Sequence, residues 1–251
     1  MKRCCFNKPR LFGQLYKLSD LNTTKRAFDS LSARSKIPVL LIDDEGFAYL
    51  DELRNEKFNI TSIRDIEDYN AVEAYPVVIC DIKGVGHKFN KEKEGAYVVR
   101  ELKKRYPFKQ FAVYSAGADY KVESMNDLEG VKRIKKDVDM DMWCSYIDEM
   151  IRLASDPIEI WKTIRDFLLN KDVPIKDVMF LEDNYVDIYI NRPQDMNNFP
   201  NPKKYPSLGD DVRSVVQSMV AGGLLKLLGL LEKEYLKRYG RIIIILRQFQ
   251  N

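Results

Sequence analysis

The residues of this chain best suited to do chemistry are carboxylates that directly follow short apolar runs. Asp43 and Asp44 follow the run at 37–42 (IPVLLI), and Asp81 follows the run at 75–80 (YPVVIC). Three carboxylates that converge on one point repel each other unless a cation lies between them, and Mg²⁺ prefers oxygen ligands of this kind. The pattern therefore predicts a divalent-cation site, provided that the fold brings the two runs side by side.

Polar residues after two later runs could act on an anionic group at the same place. Ser115 follows a fourth apolar run, and Lys135 and Lys136 follow a fifth, weaker run. A lysine ammonium and a serine hydroxyl could hold an anionic group on Asp81, as a metal ion and a lysine hold phosphoryl oxygens in other sites. These residue types indicate phosphoryl transfer assisted by Mg²⁺.

The elements that must position these residues form an alternating pattern of strands and helices, which requires a parallel sheet covered by helices on both faces. In such a sheet, ligands bind beyond the carboxyl ends of the strands. Strands are predicted at 37–42, 58–63, 75–80, 111–114 and 131–134, with helices at 47–56, 94–106 and 142–153. The fold prediction is α/β, a five-stranded doubly wound parallel sheet in a domain over 37–155.

The remaining chain does not continue this pattern. Residues 156–251 predict a mostly helical region of unassigned output, and residues 1–36 predict an extension with one helix. The individual predictions are helices at 21–33, 157–169 and from Pro174 onward, a loop at 191–206, and a long helix capped by Ser207 and continuing to about Tyr239. The alternation at 185–190 (YVDIYI) leaves a strand open as an alternative there.

Composition excludes several classes of protein. With 251 residues, 45% of them hydrophobic and 31% charged, the chain is not mainly disordered. A formal net charge of +3 does not supply the dense basic face of a nucleic-acid binder. Four cysteines without C-x-x-C spacing and one histidine exclude a zinc finger by count. The first fifteen residues hold no apolar block of signal-peptide length, so we expect a cytoplasmic protein.

One apolar segment, residues 215–231, raises the question of a membrane span. The segment is at the lower edge of the length that crosses a bilayer, and Gln217 and Lys226 interrupt it. Small residues at 221–223 permit close helix packing. A buried or dimer-forming helix is therefore preferred over a span, with a homodimer through the C-terminal helices as one expected arrangement.

The chain resembles the receiver domain of bacterial two-component response regulators over about residues 37–154. The motifs that carry the resemblance are LLIDDE at 40–45, VVICD at 77–81, VYSA at 113–116 and IKK at 134–136. In that family an acidic pair binds Mg²⁺, an aspartate accepts phosphate, a hydroxyl residue responds, and a lysine contacts the phosphate. The resemblance implies Asp43 and Asp44 as metal ligands, Asp81 as metal ligand and phosphoacceptor, Ser115 as the responding hydroxyl, and the Lys83 carbonyl as a further metal ligand.

The phosphate-contacting lysine is assigned by its neighbours. Lys136 is preferred because the family usually has an apolar residue two positions before the lysine, and Ile134 stands there; Lys135 is the alternative. Asp137 follows in place of the family's proline. The family's Met-Pro-type turn after the phosphoacceptor is replaced by IKGVGH at 82–87 and a longer charged loop. These departures indicate an atypical receiver.

The resemblance implies a response-regulator-like signalling protein. It would accept a phosphoryl group on Asp81 from a histidine kinase or phosphotransfer protein and then switch a protein-interaction surface or its helical C-terminal region. Such self-catalysed transfer does not make a conventional enzyme. Two alternatives stay open: a pseudo-receiver that binds proteins independently of phosphorylation, and a metal-dependent phosphohydrolase. The haloacid-dehalogenase type of hydrolase is less favoured because no D-x-D motif follows the first strand.

Overall fold

The computed structural model describes residues 15–23, 30–115, 128–206 and 208–220. Its sheet consists of β1 (Val39–Ile42), β2 (Ile60–Ile63), β3 (Val77–Asp81), β4 (Gln110–Ser115) and β5 (Lys132–Lys135). All neighbouring strands are parallel, in the order β2-β1-β3-β4-β5. This is the flavodoxin-like order. Successive strands are first added on one side of β1, and from β3 onward they are added on the other side. The predicted α/β fold is confirmed.

The central strands are continuous apolar runs because both faces of the sheet are covered. Leu40 and Cys80 point into the core on one face, and Leu41 and Ile79 point into the core on the other. All four side chains are fully buried. Cys80 is a buried thiol, as its position in an apolar run predicts.

Helices pack on both faces of the sheet, as the doubly wound prediction requires. α1 (Ser30–Lys36), α2 (Leu50–Asn55) and α4 (Met140–Ser155) contribute to the core on one face, and α3 (Glu94–Arg105) contributes to the core on the other. Asp139 caps α4 by accepting a hydrogen bond from the Met142 amide at 2.8 Å. The cap starts this helix two residues earlier than predicted.

The C-terminal region is helical, as predicted. α5 (Pro157–Asn170), α6 (Ile175–Asn191) and α7 (Asp210–Met219) bury a cluster that includes the stacked rings of Trp161 and Tyr185. Residues 185–190 belong to α6, so the strand alternative is wrong. The buried positions 185, 186, 188 and 189 follow helical spacing, which outweighs the apparent alternation.

Three other predictions need correction. Of the expected helix at 21–33, the first residues form a 3-10 helix, Leu18–Thr23, the last residues belong to α1, and residues 24–29 lie outside the described residues. The expected loop at 191–206 contains a 3-10 helix at Pro193–Asn198. The last described helix starts at Asp210, with Gly209 as its N-cap residue in place of Ser207.

The predicted continuation of that helix to Tyr239 and most of the segment at 215–231 lie outside the described residues. Among the helices that the structure describes, none combines the length and apolarity that crossing a bilayer requires.

Candidate functional site

The carboxyl ends of the parallel strands bring the predicted site residues to one edge of the sheet. Asp43 directly follows β1, and Asp81 ends β3, the neighbouring strand. One carboxylate oxygen from each of Asp43, Asp44 and Asp81 lies within 4.8 Å of the other two. Hard oxygen donors at this spacing fit Mg²⁺, which keeps part of its water shell beside a few carboxylates. The structure thus brings together the three aspartates that the sequence singles out.

Asp43 is the most tightly held of these carboxylates. It is 1% exposed, and its Oδ1 accepts hydrogen bonds from the backbone amides of Glu45 at 3.0 Å and Gly46 at 2.9 Å. Gly46 has φ +98°, a conformation that glycine adopts without strain. The hydroxyl of Tyr114 donates to the other oxygen, Oδ2. Both oxygens of Asp43 therefore have protein donors.

Asp81 is paired with the amino group of Lys136. Its carboxylate is almost fully buried, and the Lys136 Nζ donates to Asp81 Oδ2 at 3.0 Å and lies 3.8 Å from Asp43 Oδ2. The Lys83 amide donates to Asp81 Oδ1 at 3.2 Å. One ammonium therefore stands opposite two buried carboxylates, with Asp44 beside them.

Burial and pairing act in opposite directions on these two groups. Burial raises the pKa of Asp81 above its usual value and outweighs the Lys136 hydrogen bond, which lowers it. For Lys136, burial lowers the pKa, but the hydrogen bond to Asp81 and the charge of Asp81 outweigh burial, so the pKa is raised. Burying the charged Asp81 carboxylate therefore costs free energy that the pairing with Lys136 does not fully offset.

The two candidate lysines have different positions. Lys136 follows β5, and its amide donates to the Ser115 carbonyl at 3.0 Å, which fixes the backbone beside β4. Its side chain reaches Asp81. Lys135 is the last residue of β5 and is exposed. The geometry favours Lys136 as the site lysine.

Ser115 and Lys83 lie near the same edge. Ser115 ends β4 and is buried, one residue beyond Tyr114, which pairs in register with Asp81. Lys83 is exposed and contacts Asp81 through its backbone amide. The role of the Lys83 carbonyl as a metal ligand stays a prediction.

The atypical loop after β3 packs directly on the site. A Cβ at Gly84, which has φ +77°, would lie 2.0 Å from Asp44 Oδ2, and a Cβ at Gly95, in the first turn of α3 after the loop, would lie 2.0 Å from the Asp81 carbonyl oxygen. Only glycine permits this approach. His87 is exposed, with Nε2 at 2.8 Å from Glu94 Oε1. The loop is thus fitted to the acidic edge without a Met-Pro-type turn.

Contacts with the segment after β2 hold this loop in place. Asp65 Oδ1 accepts from the Gly86 amide at 2.9 Å, and Tyr69 stacks on Phe89 with ring centroids 4.7 Å apart. Sequence reasoning missed Asp65. The available signal was an acidic residue shortly after the second strand, the same pattern that identified Asp43 and Asp81.

Sequence reasoning also missed the polar contact of Tyr114. Its ring lies in the core, while its hydroxyl reaches Asp43. Burial, and then the hydrogen bond to Asp43, raise the pKa of Tyr114 far above its ordinary value, so the hydroxyl remains a donor. A tyrosine one residue before a polar strand end was the signal for this contact.

Comparison with known proteins gives only distant similarity. No protein-family model matches the chain, and no curated protein matches it. Among solved structures, NtrX from Brucella abortus is 19% identical over 46% of this chain and 26% of its own, with a TM-score of 0.36. An adenylate cyclase from Rhodopirellula baltica is 18% identical over 53% of this chain and 97% of its own, with a TM-score of 0.38. Full-length FixJ from B. japonicum is 17% identical over 73% of this chain and 91% of its own, with a TM-score of 0.39.

The match with this chain thus covers only about a quarter of the length of NtrX. A parallel sheet in the order β2-β1-β3-β4-β5, with three aspartates and a lysine at its carboxyl edge, defines a receiver-like α/β fold.

Proposed function

We propose that the chain is a signalling protein that accepts a phosphoryl group on Asp81 in the presence of Mg²⁺. The observation that carries this proposal is the convergence of Asp43, Asp44 and Asp81 on one point, with the Lys136 ammonium on the Asp81 carboxylate. The carboxylates fit a divalent cation, which when bound would supply positive charge against the incoming phosphoryl oxygens. Lys136 would supply charge from the other side.

The proposed chemistry is an in-line displacement at phosphorus. A carboxylate oxygen of Asp81 forms a bond to the phosphorus of a phosphohistidine or a small acyl phosphate. The P–N or P–O bond to the donor breaks, and its electron pair leaves with the imidazole, which takes a proton from solvent, or with the donor carboxylate. Lys136 then moves its hydrogen bond from Asp81 to a phosphoryl oxygen. The donor would be a histidine kinase or a phosphotransfer protein.

The response would pass through Ser115 to the helices beyond the sheet. Ser115 lies at the same edge as Asp81, and its carbonyl is tied to the Lys136 amide. α4, which follows β5, is separated from α5 by the single residue Asp156. A shift of α4 would therefore move the helical C-terminal region or a partner surface.

An intact-mass measurement with acetyl phosphate or phosphoramidate tests this proposal. We expect a gain of one phosphoryl group in wild type with Mg²⁺, and no gain with EDTA or in Asp81→Asn. The matched control is Asp183→Asn, which alters a buried carboxylate in the helical region and should leave the gain intact. Absence of any gain in folded wild type, or an equal gain in Asp81→Asn, would overturn the proposal.

A second candidate is a pseudo-receiver that binds a partner protein without phosphorylation. Asp43 already accepts hydrogen bonds from two amides and one hydroxyl, and Lys136 lies near it, so this part of the site is satisfied by the protein itself. For this candidate we expect neither a mass gain with any donor nor a shift in Tm on addition of Mg²⁺.

A further inference from the structure

We propose that Tyr114 competes with the divalent cation for Asp43 and thereby weakens cation binding at the acidic edge. This inference rests on the cation of the proposed function. The Tyr114 hydroxyl donates to Asp43 Oδ2, which also lies 3.8 Å from the Lys136 ammonium. A carboxylate oxygen has two lone pairs, so a donor on Oδ2 takes one that a cation or its water would otherwise use.

The orientation of Asp43 does not depend on this hydroxyl. Its Oδ1 is held by the amides of Glu45 and Gly46, which belong to the turn directly after β1. These two bonds and full burial fix the carboxylate when the hydroxyl is absent. Loss of the hydroxyl would therefore free an acceptor without releasing the ligand, and competition outweighs positioning as the effect of Tyr114.

Tyr114 cannot readily withdraw, because its ring is enclosed by other aromatic rings. Phe47 and Trp143 both contact it edge to face, with centroid distances of 5.6 Å and 5.4 Å, and all three side chains are buried. The ring is further anchored by its place in β4, between β3 and β5. The hydroxyl is thus a fixed donor aimed at Asp43, and a cation must bind against it.

The test is a calorimetric titration of the 251-residue chain with MgCl₂. We expect Tyr114→Phe to bind Mg²⁺ about threefold to tenfold more tightly than wild type, the equivalent of one hydrogen bond. The control is Tyr185→Phe, which removes a buried hydroxyl that donates to the Pro157 carbonyl in the helical region. This control should bind like wild type. Binding by Tyr114→Phe that is equal to or weaker than that of wild type would overturn the inference.

The outcomes separate this inference from the proposed function. Wild type that binds Mg²⁺ and is phosphorylated, with no tighter binding in Tyr114→Phe, contradicts only the role of Tyr114. Failure of both proteins to bind Mg²⁺ contradicts both proposals. Should Tyr114→Phe not fold, NMR of wild type serves instead. The Tyr114 ring signals should shift with Mg²⁺ while those of Tyr185 stay fixed, and unchanged Tyr114 signals would overturn the inference.

Discussion

Acidic residues that are at least partly buried occur both at the sheet edge and in the helical region, and the two groups differ in the charges around them. In the helical region, Asp183 accepts from the Tyr16 amide at 2.8 Å, and Glu182 accepts from the Leu18 amide at 3.1 Å and from Trp161 Nε1 at 2.6 Å. These neutral donors join the N-terminal segment and α5 to α6. The acids here connect parts of the fold.

At the sheet edge, by contrast, three acids converge on one point, and the Lys136 ammonium lies beside them. Asp43, Asp44 and Asp81 converge within 4.8 Å, and Lys136 pairs with Asp81. Burial leaves Asp81 with a raised pKa despite this pair. Neutral amides account for the acids of the helical region, whereas the charge surplus at the sheet edge is what a bound cation would offset.

The largest expected effect concerns the backbone beneath the acidic edge. A Cβ added at Gly95 would lie 2.0 Å from the Asp81 carbonyl oxygen, which is fixed in β3, so Gly95→Ala should destabilise the fold by about 3 kcal/mol. In the helical region, a Cβ at Gly209 would meet only the flexible end of Asp211 at 2.7 Å, so Gly209→Ala should cost less than about 1 kcal/mol. Urea denaturation of both variants checks the difference. Equal losses would show that the edge is not packed as described.

The next effect distinguishes the two candidate lysines. Lys136→Gln leaves Asp43 and Asp81 without an ammonium, and we expect a loss of about 1 to 2 kcal/mol in the free energy of unfolding, because Lys136 is itself partly exposed. Lys135→Gln alters an exposed side chain and should change stability by less than about 0.5 kcal/mol. Denaturation in the absence of metal measures both variants, and the reverse ranking would exclude Lys136 as the site lysine.

Replacing an aspartate by asparagine should change the free energy of unfolding in opposite directions at the sheet edge and in the helical region. Asp81→Asn removes a buried charge whose burial cost exceeds its pairing, and Lys136 keeps Asp43 nearby, so we expect a higher free energy of unfolding than in wild type at pH 7. Asp183→Asn weakens the hydrogen bond that Asp183 accepts from the Tyr16 amide, so we expect a loss of about 1 kcal/mol. Urea denaturation at low salt without Mg²⁺ compares the two variants. A loss of stability in Asp81→Asn would contradict the charge surplus.

The pH dependence provides the control for this third prediction. The pKa of Asp81 in the folded protein lies above its ordinary value of 3.8. Well below pH 3.8, Asp81 is protonated in both the folded and the unfolded protein, so burying its side chain carries no cost of a buried charge. As the pH rises, the unfolded state loses its proton first, so wild type loses stability relative to Asp81→Asn. The advantage of the variant should therefore be full at pH 7 and shrink toward pH 4, and an advantage independent of pH would assign it to another cause.

Most of the fold could be predicted because the three central strands, β1, β3 and β4, are buried on both faces. Such strands appear in the sequence as continuous apolar runs, and a parallel arrangement places Asp43 and Asp81 at one edge without any knowledge of tertiary contacts. The α5 and α6 helices were predictable from their apolar periodicity for the same reason. Local signals were sufficient wherever burial repeated along the chain.

The remaining features depend on contacts between distant parts of the chain. The bond from Tyr114 to Asp43 depends on the depth of β4 beside β3, and the bond from Asp65 to Gly86 joins two separate loops. Leu21 packs among the C-terminal helices, far along the sequence from its own segment. Helix ends were also misplaced, since Gly209, a residue without a capping side chain, precedes α7. Periodicity carries no information about such pairings.

The most direct test of the central claim is binding of beryllofluoride, an acyl-phosphate mimic, observed by ¹⁹F NMR on the 251-residue chain. The account predicts a bound fluorine signal that requires Mg²⁺, disappears in Asp81→Asn, and persists in Asp183→Asn. This pattern would show that the acidic edge holds a cation and a phosphoryl-like group while the helical acids do not. A folded wild type without a bound signal at saturating Mg²⁺, or a signal unchanged in Asp81→Asn, would contradict the account.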